Sequence, residues 1–185
     1  MEKKKNILLI NGSLRSESAN HSLLKALIPL APDPLDCQLY GGVDQLPFFN
    51  PDLDQEESSI PESVRGFRLS LAEADGIVIS TPEYVHGIPG GLKNAIDWAV
   101  SSGSFVGKPM VLINVSAGDG TQLQEMLGHT LTVLEAQIVS QVSLYTSTIR
   151  KSLDSQGKIT YPVILKELDQ AMSALVSAVG AVAYK

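Results

Sequence analysis

Two segments of the 185-residue chain concentrate groups able to do chemistry. The first reads Asn11-Gly12-Ser13-Leu14-Arg15-Ser16-Glu17-Ser18-Ala19-Asn20 and passes from a short apolar run into a segment of helical spacing. Unpaired N–H groups at a helix start, the helix dipole, several hydroxyls and one guanidinium converge there, which suits an anion held by charge-assisted hydrogen bonds. Ser13, Ser18 and Asn20 are the expected donors and Arg15 the positive charge. The segment is not G-x-x-x-x-G-K-[ST] and lacks the Lys and the following Ser or Thr that handle terminal phosphates and magnesium, which disfavours a nucleoside triphosphatase. Nor is it G-x-G-x-x-G, which disfavours a dinucleotide site of the Rossmann kind.

The second segment runs Ser80-Thr81-Pro82-Glu83-Tyr84-Val85-His86-Gly87-Ile88-Pro89-Gly90-Gly91 and leads into Leu92-Lys93-Asn94-Ala95-Ile96-Asp97-Trp98. Its prolines and glycines force an irregular backbone whose N–H and C=O groups need partners outside helix and sheet. A planar heterocycle rich in carbonyls and ring nitrogens supplies them. Tyr84 offers an aromatic face or edge, and Gly87 allows close approach. Glu83 has no paired carboxylate nearby in sequence, so it reads as a residue that fixes the loop rather than as an acid or base. His86 reads as a solvated loop residue, and His21 and His129 as helix-surface residues. No residue is assigned to a metal.

These loops need a scaffold, and the spacing of apolar runs provides one. Strands are expected at Asn6–Asn11, Leu35–Tyr40, Ile77–Ser80, Met110–Val115 and Ile138–Tyr145. Helices are expected from an Asn20 N-cap through Leu23, Leu24, Leu27 and Ile28, from Pro61 through Val64, Phe67, Leu71 and Ala74, and over Leu92–Val100, Thr121–Ala136 and Pro162 onward. Gly41–Pro61 reads as a long loop, and a loop of this kind in a compact domain is usually functional. Ser147–Tyr161 reads as polar and turn-rich. Strand–helix alternation implies an α/β fold with a parallel sheet and helices on both faces, and the length suits a single domain, residues 1–185, of doubly wound order 2-1-3-4-5. Ligands of such sheets bind beyond the carboxyl ends of the strands, where the winding reverses. Here that point lies between strands one and three, where both loops emerge.

The formal net charge of -6 argues against a nucleic-acid partner, which would call for a positive field. Lys3, Lys4 and Lys5 form a short basic run that reads as a solvated terminus. Ile7–Ile10 is too short for a signal-peptide core, and Ala171–Tyr184 falls short of a bilayer span, so neither secretion nor membrane insertion is expected. The single Cys37 cannot pair within the chain and reads as a small core residue suited to a reducing cytoplasm.

The two loops together resemble those of the NADPH-dependent FMN reductase family, whose members include quinone and chromate reductases and FMN-dependent azoreductases. The likeness is carried by Gly12-Ser13-Leu14-Arg15 with Ser18 and Asn20, and by Thr81-Pro82-Glu83-Tyr84 with Pro89-Gly90 and Leu92 to Trp98. Leu46-Pro47, Asn50-Pro51-Asp52-Leu53, Gly107-Lys108-Pro109 and Ser116-Ala117-Gly118 add to it. The resemblance implies a flavodoxin-like three-layer sandwich with FMN as cofactor. Ser13, Arg15, Ser18 and Asn20 would hold its phosphate. Pro82, Glu83, Tyr84 and Val85 would line the isoalloxazine, largely through backbone groups, with Gly87 beside them and Ser116 and Gly118 on the other flank. It further implies electron transfer from NADPH or NADH to a small acceptor such as a quinone, azo compound, metal oxyanion or free flavin. The flavin carries the hydride chemistry, so no catalytic side chain is required. A homodimer or homotetramer is expected, with Phe48, Phe49, Leu92, Asp97 and Trp98 as candidates to face a partner, although Trp98 suits the core equally. Where many relatives carry a Gly-Gly-Arg-like segment, this chain has Asp119-Gly120-Thr121-Gln122-Leu123, which leaves the donor open between NADPH, NADH and a protein. Two other classes fit the same residues: an FMN-bearing electron carrier or redox-responsive binding protein, and a flavin-free scaffold or hydrolase on this fold.

Overall fold

A computed structural model describes residues 4–182; Lys3 and Tyr184 of the segments named above lie outside them. Five strands, β1 (Lys5–Asn11), β2 (Leu35–Tyr40), β3 (Gly76–Thr81), β4 (Pro109–Ser116) and β5 (Gln137–Tyr145), form one parallel sheet in the order β2-β1-β3-β4-β5. This is the doubly wound order the alternation implied, and β1 and β3 pair directly from Ile7 opposite Gly76 to Asn11 opposite Ser80. The helices are α1 (Ala19–Leu27), α2 (Glu62–Glu73), α3 (Gly90–Ala99), α4 (Thr121–Val133), α5 (Thr146–Ser152) and α6 (Pro162–Val182).

Side chains alternate across each strand, so the continuous apolar runs feed two cores. Ile7, Leu9, Val78, Val111 and Ile113 face α1, α5 and α6. Leu8, Ile10, Ile77, Ile79 and Leu112 face α2, α3 and α4. Each buried aliphatic side chain contributes about 1.5–3 kcal/mol of transfer free energy, so the central strands are held from both sides. Cys37 is buried on β2, and burial, with Asp36 beside it, raises its thiol pKa to about 11. Among the described residues no helix is long and apolar enough to cross a membrane.

Several elements differ from the sequence expectation for identifiable reasons. Helix α1 is capped by Ser18, whose Oγ accepts from His21 N–H at 3.4 Å, so Asn20 lies inside the first turn instead of ahead of it. The stretch after β2 is not an open loop. It contains three short 3-10 turns, at Val43–Gln45, Pro51–Leu53 and Glu57–Ser59, and is pinned to α3. Asn94 Oδ1 accepts from Phe49 N–H at 2.7 Å, and Trp98 Nε1 donates to Pro47 O at 2.7 Å. Trp98 and Leu92 are therefore core residues and not partner-facing ones. Helix α4 stops at Val133, before Ala136, because Glu135 takes a positive φ of 59°. Inside the stretch read as turn-rich, Thr146–Ser152 is helical: Ser, Thr and Ile carry weak helix propensity, and burial of Ile149 holds the turn in place.

Candidate active site

The exits of β1, β3 and β4 open on a cavity of about 200 Å³ walled on its remaining side by α5. Ser13, Arg15, Ser18 and Asn20 line it from the first loop, Pro82, Glu83 and Tyr84 from the second, and Ser116 from the end of β4. Larger depressions of about 420 and 720 Å³ lie elsewhere, one between Leu27 and Met172 and the other between Lys25 and Lys158. The first is largely apolar, and the second, although it carries Lys25 and Lys158, is lined by no residue of the two loops.

The first loop is shaped by Asn11, whose Nδ2 donates to Ser13 O at 2.7 Å while Ser13 N–H donates to its Oδ1 at 3.1 Å. Gly12 N–H donates to Ser80 O at 2.8 Å, and a Cβ on Gly12 would come within 2.5 Å of Thr81 Oγ1. Only glycine lets the loop cross β3 this closely. Ser18 accepts at its Oγ from His21 N–H and at its carbonyl from Ser22 N–H. Helix geometry leaves the Ala19 and Asn20 amides without intrahelical acceptors, and both residues line the cavity. Burial and the nearby Lys25 hold His21 below the ordinary imidazole range, so it adds little positive charge near neutrality.

Asn20 is spent differently from the phosphate-donor role expected of its side chain. It is 3% exposed, its Oδ1 accepts from Ser80 Oγ at 2.8 Å, and its Nδ2 donates to Val115 O at 3.2 Å. Its amide ties α1 to β3 and β4 beneath the cavity floor, and what it offers the cavity is backbone N–H. Ser116 is likewise engaged: its Oγ accepts from Glu83 N–H at 2.6 Å and donates to Asn114 Oδ1. Asn114 Nδ2 in turn reaches Asp119 O at 3.3 Å. Gly120 takes φ 69° directly over that amide, and a Cβ there would collide with it.

Glu83 does fix its loop. Its Oε1 accepts from Leu123 N–H at 3.2 Å in the first turn of α4, and its Oε2 lies 4.0 Å from His86 Nδ1. Tyr84 and Gly87 exchange backbone hydrogen bonds of 3.1 and 3.0 Å around a tight turn with Val85 at φ 50° and His86 at φ 59°. Two consecutive positive φ values mark a type I′ turn, which favours Asn and Gly; a β-branched residue there is strained by about 1–3 kcal/mol. Val85 is 99% exposed, so its side chain stands in solvent away from the cavity. Gly87 closes the turn, and Gly118 lies beside Glu83, where a Cβ would meet Oε2 at 3.9 Å. Val85, Gly87 and Gly118 thus border the site without lining it.

Sequence reasoning missed Thr146 and Arg150 of α5, which line the same cavity. Thr146 Oγ1 donates to Val115 O at 3.5 Å. A basic residue following the last strand was the available signal, hidden because the helix that presents it was not legible. The assembled cavity combines an anion-binding end, with two guanidiniums and free helix-start amides, and a rigid Pro-Glu-Tyr edge suited to a planar ring.

The sequence pattern of the NADPH-dependent FMN reductase family matches residues 5–150. The chain belongs to that family. As an FMN reductase it is an enzyme, a flavin-dependent oxidoreductase with FMN and NAD(P)H as cofactors. It is 32% identical over 160 residues to a quinone reductase of Escherichia coli (strain K12), covering 84% of this chain and 85% of that protein. It is 33% identical over 173 residues to an NAD(P)H-dependent FMN reductase of Pseudomonas aeruginosa, covering 91% and 92% of the two chains. Among solved structures, the flavoenzyme NAD(P)H:(acceptor) oxidoreductase FerB of Paracoccus denitrificans superposes with a TM-score of 0.80 at 29% identity, over 96% of this FMN reductase and 98% of FerB.

Proposed function

We propose that this FMN reductase holds FMN in the cavity at the ends of β1, β3 and β4 and passes electrons from NAD(P)H to a quinone or similar small acceptor. The observation that carries the reading is that the anion-binding end and the rigid ring-edge loop share one cavity. The donor chemistry fits the group: hydroxyls of Ser13 and Ser18, the Ala19 and Asn20 amides and the Arg15 guanidinium suit a phosphate. Gly12 lets the first loop lie directly against β3, since any side chain there would strike Thr81. When bound, FMN supplies the hydride and electron chemistry, as the family's use of nicotinamide donors requires.

The protein's own residues then position and tune. Asn20 and Ser116, with their partners, hold the three strand exits in one arrangement, so the donors need little reorganisation on binding. Pro82 and Tyr84 form a stiff edge, and Glu83 locks that edge to α4. Tyr84 is 52% exposed, leaving it accessible to a ring stacked against the cavity mouth. Quinones are the acceptor class because the Escherichia coli relative is a quinone reductase. We also infer a single domain acting in the cytoplasm as a homodimer or homotetramer. Support for assembly comes from Phe48, which is 92% exposed on a stretch that Asn94 and Trp98 hold rigidly.

The test is steady-state oxidation of NADPH and NADH by FMN-loaded protein with and without 1,4-benzoquinone. Donor oxidation that depends on the quinone and on the flavin is expected. Oxidation that is indifferent to the quinone overturns the acceptor class.

A further inference from the structure

The proposed phosphate site contains a charge imbalance that Arg15 alone does not correct. Arg15, Glu17 and Arg150 line the same small cavity as Ser13, Ser18 and the start of α1. Glu83, the other carboxylate lining the cavity, is turned to Leu123 N–H and His86. A flavin 5′-phosphate brings a charge of about -1.5 to -2 near neutral pH, as phosphate monoesters do. Glu17 offsets the charge of Arg15, leaving the first loop with only its helix-start amides, a partial charge of about +0.5. Arg150 reaches the same cavity from α5, and among the described residues none of Arg15, Glu17 and Arg150 is engaged in a salt bridge. All three are exposed residues, free to reorient toward an anion.

We infer that Arg150 is the second cation of the phosphate site, and that Arg150 and Glu17 together set the selectivity of this protein for phosphorylated over unphosphorylated flavin. The inference rests on the flavin reading above and adds to it a residue outside the first loop. Arg150 clamps the phosphate from α5, outside the first loop, as a bidentate guanidinium does. Glu17 weakens the clamp, so the site discriminates by charge count and not by any single donor. Riboflavin, which offers the same ring without the dianion, gains nothing from Arg150.

The test is titration of the deflavinated full-length chain with FMN and with riboflavin, followed by flavin fluorescence, for the wild type, Arg150→Ala, Arg150→Lys and Glu17→Gln. Arg150→Ala is expected to raise the Kd for FMN by about tenfold to a hundredfold, the range for a hydrogen-bonded charge, and to leave that for riboflavin unchanged. Arg150→Lys should fall between, retaining charge without the bidentate fork. Glu17→Gln should tighten FMN by about two- to fivefold, the scale of an exposed charge pair. An unchanged FMN Kd in Arg150→Ala, or an equal loss for both flavins, overturns the role of Arg150 while leaving the flavin site standing. A wild-type chain that binds neither flavin overturns the site and the inference together.

Discussion

Arg15 and Asn20 sit five positions apart on one loop and one helix turn, yet the structure uses them in opposite ways. Arg15 is an exposed charge lining the cavity, and Arg15→Ala is expected to weaken FMN binding by about 1.5–3 kcal/mol, read as a raised Kd in a fluorescence titration. Asn20→Ala strands Ser80 Oγ in a buried environment and leaves Val115 O with only the 3.5 Å bond from Thr146 Oγ1. It should cost about 1–3 kcal/mol of folding stability for each group left unpaired, read as a lower urea midpoint with the denaturant slope retained. The sequence disclosed that Asn20 belongs to the site because its spacing from Gly12 matches the family. It did not disclose what the amide binds, since both partners lie far along the chain and meet it only after the sheet has formed. Cys37 makes a cleaner case: its thiol pKa is pushed up to about 11, so only about one molecule in a thousand is thiolate at pH 8. Iodoacetamide should label native protein far more slowly than protein in urea, and equal rates would contradict its burial.

At the scale of elements, the strands were legible because burial on both faces writes continuous apolar runs between turn residues. Strand β2 begins and ends where expected, at Leu35 and Tyr40. Helix α5 was not legible: its seven residues are mostly Ser, Thr and basic, and Ile149 is the one large side chain it buries. Tertiary packing overrides propensity there, and Arg150 went unseen with it. The turn after Tyr84 shows the converse, a local conflict that the surrounding structure tolerates. Val85 holds φ 50° in full solvent exposure with no packing to justify a branched side chain. Val85→Asn should relieve the strain and raise stability by about 1 kcal/mol, measurable as a higher melting temperature. No gain would show that the turn is not strained in solution. Gly120 is the opposite case, because its left-handed φ and the Asn114 amide beneath it exclude any side chain.

For the whole molecule, the sheet order decides where chemistry can occur. Placing β1 between β2 and β3 sends the first crossovers to opposite sides and leaves a crevice at the β1 and β3 exits, which is where the anion-binding end and the ring edge meet. The buried side chains Asn20, Ser80, Asn114 and Ser116 tie the start of α1 to β3 and β4, so this side of the crevice is braced before any ligand arrives. Family membership supplies the donor and the flavin, and the geometry supplies the seat. We infer that electrons pass from nicotinamide to an acceptor through FMN seated in this crevice. Anaerobic stopped-flow mixing of FMN-loaded protein with NADPH and with NADH, followed by 1,4-benzoquinone, tests it most directly. The flavin absorbance should bleach with at least one donor and return on addition of the quinone; flavin that neither donor bleaches would contradict the account.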